Sequence, residues 1–268
     1  MRMSLNTVTV KEKWGLADCI EGCARHGIPG ISPWRDVLQA MGVQQAARQI
    51  RDAGLVVTGL CRGGMFPAAD AAGRATAIED NRRAIGEAHA IDAACLVMVC
   101  GGLPQGSKDL PGARTMVRDG LAAILPAARA AGVTIALEPL HPMTCADRSV
   151  LSTLGQAFDL CDELGDGTGV ALDVYHVWWD PDLADQIARA AGRIAGFHVC
   201  DWKVPTTDTV FDRGIPGEGV IDIPAIRRMV EAQGYDSFAE VEILSKHWWQ
   251  QDPDEVLALL KRRHVESV

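Results

Sequence analysis

Gly169-Val-Ala-Leu-Asp-Val-Tyr-His-Val-Trp-Trp-Asp180 begins as an apolar run and ends it in a carboxylate. Short strands buried on both faces read as continuous apolar runs bounded by turn residues, and Gly169 to Leu172 has that form. Asp173 therefore stands where the chain leaves the core, at a depth where an unpaired charge is costly. It needs a cation or a hydrogen-bond network. His176 follows three residues later, and Asp180-Pro181 places an N-cap acid before a proline at a first helical position.

Three more runs do the same: Val133-Thr-Ile-Ala-Leu-Glu138, Ile194-Ala-Gly-Phe-His198-Val-Cys-Asp201 and Phe238-Ala-Glu-Val-Glu242-Ile-Leu. Taken singly, each polar residue has an ordinary explanation as a cap, an ion-pair partner or a satisfied core histidine. Four of them, Glu138, Asp173, His198 and Glu242, at the ends of four strands make a cage of three carboxylates and one imidazole. Such a cage suits one divalent ion, with Mn2+, Mg2+ or Co2+ favoured by the oxygen-rich set and Zn2+ also compatible. Period-two alternation puts Glu240 on the same face as Glu242. Glu242 is nearer the carboxyl end and is the expected ligand; Glu240 is expected one layer deeper, bonded to a ligand or to a buried Arg or Lys.

The rest of the chain alternates strand-like and helix-like segments with little sequence to spare. Strands are expected over residues 5–10, 28–32, 55–61 and 95–100, and helices over 16–26, 37–53 and 71–90. Val117, Leu121, Ile124, Leu125 and Ala128 mark one face of a further helix at a 3.6-residue period. Asp222 with Pro224, and Asp252 with Pro253 and Glu255, open the later helices. Eight strand–helix units imply parallel pairing, right-handed crossovers and closure into a single (β/α)8 TIM barrel domain over residues 1–268, with its site at the carboxyl ends of the strands. The competing open doubly wound sheet lacks its signature, because no GxGxxG follows the first strand.

Charge and cysteine use narrow the function. With 26 Lys+Arg against 35 Asp+Glu the net charge is −9, which argues against nucleic acid or an anionic membrane as partner. The eight cysteines form no CxxC pair, no apolar stretch is long enough to span a bilayer, and a cytoplasmic location is expected. Loop residues His141, His176 and Arg213 are candidate substrate contacts, with Trp34, Trp178 and Trp179 as apolar walls for a sugar ring. Lys203 could also reach substrate. Lys246-His-Trp-Trp-Gln-Gln251 puts large aromatics near the rim, which points to a pocket wall or to a homo-oligomer contact.

Leu137-Glu-Pro-Leu-His141, Leu172-Asp-Val-Tyr-His176, Phe197-His-Val-Cys-Asp201, Asp212-Arg-Gly-Ile-Pro-Gly-Glu-Gly-Val-Ile-Asp222 and Val241-Glu-Ile243, in that order, resemble the xylose isomerase-like superfamily. The resemblance is to its branch of inosose isomerases and ketose 3-epimerases. It implies a metal held by Glu138, Asp173, His198 and Glu242, and substrate oxygens met by His176 and Arg213. The first half of the chain matches only in its strand–helix rhythm. Endonuclease IV shares the barrel but resembles the chain less, since it uses additional histidines and carboxylates for three zinc ions.

The expected activity is that of a metal-dependent isomerase or epimerase acting on a small sugar or inositol-derived substrate. Glu138 and Glu242 would move the proton through an enediolate. Two alternatives stand beside it: a dehydratase or other lyase acting on a keto-sugar or keto-inositol, and a sugar-binding barrel without turnover.

Overall fold

Nine short strands, all parallel, carry the fold in the computed structural model, which describes residues 1–268. They are β1 (Arg2–Asn6), β2 (Gly30–Ser32), β3 (Val56–Val57), β4 (Leu60–Gly64), β5 (Cys95–Val99), β6 (Thr134–Leu137), β7 (Thr168–Asp173), β8 (Ile194–Val199) and β9 (Phe238–Val241). The sheet order is β3-β2-β1-β9-β8-β7-β6-β5-β4. Its two edges, β3 and β4, are consecutive pieces of one stave, broken at Thr58-Gly59. Thr58 N–H donates to Ile31 O, and Cys61 N–H donates to Pro33 O, each at 3.0 Å. A parallel bridge from Trp34 to Cys61 spans the remaining seam, so the sheet is a nearly closed TIM barrel with eight staves.

Ten helices wrap the sheet: α1 (Leu16–His26), α2 (Arg35–Met41), α3 (Val43–Asp52), α4 (Ala71–Ala90), α5 (Leu110–Ala131), α6 (Leu154–Leu164), α7 (Val174–Val177), α8 (Leu183–Ala188), α9 (Ile223–Ala232) and α10 (Pro253–Ser267). α1 and α4 have the bounds their patterns predict. The α5 stripe of Val117, Leu121, Ile124, Leu125 and Ala128 is wholly buried, as its period requires. One apolar cluster of 61 buried residues runs from Met3 to Val268. No helix is long and apolar enough to cross a membrane.

Four local departures from the sequence reading have physical causes. The first strand ends at Asn6, not at residue 10, because the Asn6 side chain accepts from Val8 N–H at 3.1 Å and turns Thr7–Val10 into a 3-10 turn. The helix expected over 37–53 is two helices, broken at Gly42 with φ +90°. The third stave is split, as described above. Asp180 does not cap α8; it accepts from Asp182 N–H in the preceding turn, and the helix starts at Leu183. Asp222 and Asp252 do cap α9 and α10.

The barrel interior below the rim is lined by small side chains. Cys95, Val97, Ala136 and Ala171 form a separate buried cluster. Alternation along the strands sets Ala136 below Glu138, Ala171 below Asp173 and Gly196 below His198. Small residues there leave room for the longer polar side chains above them.

At the end of β4, Asn81 from α4 clamps the backbone of Gly64, accepting its N–H at 2.6 Å and donating to its carbonyl at 2.8 Å. Gly64 has φ +107°, and a Cβ there would stand 1.9 Å from Val99 O. Gly64→Ala is expected to destabilise the protein by roughly 1–3 kcal/mol, the usual cost of such backbone strain. A urea midpoint equal to the parent's would show that this turn yields freely.

Candidate metal centre

Each side chain of the cluster reaches the rim from a different stave. Glu138 follows β6 directly, Asp173 ends β7, His198 lies in β8, and Glu242 follows β9. Register aligns Asp173 with His198, and His198 with Glu240. One donor atom from each of Glu138, Asp173, His198 and Glu242 lies within 4.8 Å of the others, and all four residues are buried.

Hydrogen bonds hold each donor in place. Asp173 Oδ1 accepts from Tyr175 N–H at 2.9 Å and caps α7, which leaves Oδ2 facing inward. Arg213 Nη1 donates to Asp173 Oδ2 at 2.8 Å and to Glu242 Oε2 at 3.1 Å. His198 Nδ1 lies 3.0 Å from Glu138 Oε1. Glu242 Oε1 accepts from Asn6 Nδ2 at 3.1 Å.

The cluster is short of positive charge. Four buried carboxylates, counting Glu240, face one guanidinium and the imidazoles of His198 and His176, and burial and Arg213 push His176 well below its usual value, so it adds no charge. Burial pushes the Asp173 and Glu242 carboxyls above their ordinary range despite Arg213. Burial alone would lower His198, but Glu240, Glu138 and Glu242 outweigh it and hold the ring well above its usual value. A divalent cation would supply the missing charge, and three carboxylates with an imidazole are a donor set that suits one. The residues present therefore fit a metal ion.

Glu240 lies deeper, as alternation requires, and of the partners expected for it a ligand, His198, is near while no Arg or Lys is. It accepts from Asn6 Nδ2 and from Thr58 Oγ1, both at 2.8 Å, and Ser4 Oγ lies 2.8 Å from Thr58 Oγ1. Neither Arg nor Lys bonds it. His198 Nε2 stands 3.7 Å from Glu240 Oε1.

A cavity of about 350 Å3 opens above the cluster. It adjoins a narrower recess lined by Glu138, Glu242, His176 and Arg213, and Trp34, Arg62 and Arg148 line both. Asp173 and His198 do not reach this space. His176 is buried; its Nδ1 faces His141 N–H at 3.1 Å and its Nε2 faces Arg213 Nη2 at 3.1 Å. A neutral imidazole can accept from only one of them. Arg213 Nε is buried without a partner.

The other residues singled out from sequence lie further away. The His141 ring stacks on Trp202 at 5.0 Å between centroids, and this residue meets the site only through its backbone N–H. Trp178 packs on Trp202 at 5.8 Å and does not line the cavity. Trp179 Nε1 donates to His176 O at 2.7 Å. Lys203 is paired with Asp212. Trp249 is turned inward, donating to Val8 O at 2.7 Å, so it is not an exposed aromatic.

Asn6, Thr58, Arg62 and Arg148 were not foreseen. Asn6 carried one available signal, an amide inside the first strand-like run.

The chain matches the family model described as "Xylose isomerase-like TIM barrel" over residues 20–263. It is 55% identical to a protein of Sinorhizobium meliloti 1021 of known crystal structure, covering 99% of this chain and 98% of that one at a TM-score of 0.98. It is 27% identical over 143 residues to the inosose isomerase of Halalkalibacterium halodurans. That match takes in 51% of this chain and 49% of the relative, so it spans about half of the curated protein. The crystal structure of the IOLI protein with a binding zinc atom superposes at a TM-score of 0.86 with 21% identity, covering 99% of this chain and 97% of that one.

Proposed function

From a chain that belongs to the xylose isomerase-like TIM barrel family, we propose a divalent-metal-dependent isomerase or epimerase of a small sugar-like or inositol-derived substrate. One observation carries the reading. Of the four clustered residues, Glu138 and Glu242 alone face the recess, beside His176 and Arg213. The two carboxylates that can reach a substrate carbon are thus on the open side, while Asp173 and His198 are committed behind them.

Glu138, Asp173, His198 and Glu242 would hold the ion, which when bound polarises a substrate carbonyl and acidifies the neighbouring C–H. Mn2+, Mg2+ or Co2+ suits the set, and the zinc of the IOLI structure keeps Zn2+ as the alternative. One glutamate takes the proton from carbon, and the other, or the same one, returns it. Return to the opposite face gives an epimer, and return to the adjacent carbon gives an aldose–ketose shift. His176 and Arg213 would meet substrate oxygens, Arg213 through the N–H groups that its bonds to Asp173, Glu242 and His176 leave over. Trp34 supplies an apolar wall, and Leu140 and Leu244 help keep the recess dry. All eight cysteines are free, which suits a reducing cytoplasm.

The test combines metal analysis of the purified protein with incubation in deuterated water on a ketose and inosose panel. The expected result is a bound divalent ion and uptake of deuterium at a carbon beside the carbonyl, with no net change of formula. Loss of water from the product would make the protein a dehydratase. Bound metal with no exchange on any substrate would leave a sugar-binding barrel.

A further inference from the structure

Arg62 and Arg148 are half-buried in the wall shared by the cavity and the recess, and neither side chain makes a hydrogen bond or ion pair with the protein. Other guanidiniums drawn inward are matched: Arg35 by Asp80 and Glu87, and Arg213 by Asp173 and Glu242. Asp147 lies in the same wall and pairs with neither arginine. We propose that the substrate carries an anionic group, a carboxylate or a phosphate, and that Arg62 and Arg148 bind it. This rests on the reading that the cavity is the substrate site of an isomerase or epimerase.

Burying like charges without a counter-ion is unfavourable, and in a chain of net charge −9 there is no shortage of acids to pair them. Burial and then the repulsion of Arg213 and Arg62 hold the Arg148 guanidinium below its ordinary range, and Glu138 and Glu242 offset this only in part. Those two glutamates are engaged elsewhere, with His198 and Arg213. The two guanidiniums therefore have hydrogen-bond donors left open toward the cavity. Lys11 stands at the same wall with its ammonium 4.0 Å over the Trp249 ring, but it is paired with Glu12 at 3.8 Å and is not an open cation like the two arginines.

Local backbone directs Arg62 to this place. The pairing of β4 with β5 slips between Cys61 and Gly63, so Arg62 is the extra residue of a bulge. Bulges re-aim a side chain out of the strand's alternation. Gly63 and Gly64 then let the chain pass against Asn81, Met98 and Val99, which fixes the bulge from behind. Two guanidinium forks suit the paired oxygens of a carboxylate or phosphate better than they suit hydroxyls. A cavity of about 350 Å3 holds a single sugar-sized acid rather than a polymer.

The experiment uses three ligands that differ only at C6: D-fructose, D-fructuronate and D-fructose 6-phosphate. Affinity is measured by titration calorimetry, with and without added Mn2+, so the readout is independent of turnover. One of the anions is expected to bind about 10- to 100-fold more tightly than fructose, the range for charge-assisted hydrogen bonds. Which anion gains identifies the group. In Arg62→Gln and Arg148→Gln the preference should fall about three- to tenfold each, and in the double variant it should approach one. Neither side chain bonds the protein, so the variants should fold, and their melting curves check this.

Equal affinities, no measurable binding of either anion, or a preference that survives the double replacement overturn the proposal. Deuterium exchange on the same ligands separates it from the isomerase reading. Exchange with fructose and no anion preference sinks the arginine site alone. An arginine-dependent anion preference with no exchange on any ligand sinks the isomerase alone.

Discussion

Glu242→Gln and Glu138→Gln are each expected to slow exchange of the substrate's carbon-bound hydrogen with solvent deuterium by about 10²- to 10⁴-fold, the range for loss of a general base. An amide keeps the size of the side chain and one oxygen donor but cannot take a proton. Glu242 is the more exposed to complication, because Oε1 accepts from Asn6 and Oε2 from Arg213. Glutamine must turn its NH2 toward one of these donors, so this variant also disturbs either Asn6 or Arg213. Glu138 has a simpler surrounding, with His198 Nδ1 at 3.0 Å. Metal content measured on each variant separates the two effects: exchange lost with metal retained marks a base, and exchange lost together with metal marks a ligand. Loss in only one variant gives a one-base mechanism. Undiminished exchange in both removes the glutamate scheme.

How much of this was legible follows from what each signal depends on. The clustered residues each end or closely follow an apolar run, and a parallel barrel brings such ends to one rim, so local sequence and topology together predict the group. The α5 stripe and the Asp222 and Asp252 caps are local in the same way. Arg62 and Arg148 are different, because lacking a partner is a property of the assembled wall and no neighbouring residue reports it. Asn6 donates to Glu240 and Glu242 across 234 and 236 residues of chain, through the pairing of β1 with β9. In the sequence it reads as one polar residue inside a strand expected over 5–10, with nothing local to report its partners. Asp180-Pro181 misled because a turn and a helix cap use the same residues, and only the path of the chain after Trp179 decides between them. Trp249 differs from its reading for a related reason: a local run cannot say that its indole finds Val8 O in the first turn of the barrel, while Trp248 beside it stays half-exposed.

Arg213→Met is expected to destabilise the metal-free protein by about 3–5 kcal/mol, the usual cost of removing one partner from a buried charge cluster. Arg213 is 3% exposed, Asp173 0% and Glu242 4%, so when the guanidinium is gone Asp173 has no water to turn to and Glu242 has only the narrow recess. Methionine fills much of the volume and keeps an apolar stem near the Tyr175 ring, which the guanidinium carbon now faces at 4.5 Å from its centroid. Charge, more than packing, is what the substitution removes. The same argument fixes where a metal ion would matter. An ion among Glu138, Asp173, His198 and Glu242 supplies positive charge to the carboxylates that Arg213 serves, so added Mn2+ should raise the melting temperature of the variant by more than it raises that of the parent. Melting curves in chelator and in excess Mn2+ give all four values. A variant as stable as the parent in chelator would show that Arg213 is not the counter-charge of these acids. Equal stabilisation of both proteins by Mn2+ would show that the ion binds away from them, and this result would be independent of any assay of turnover.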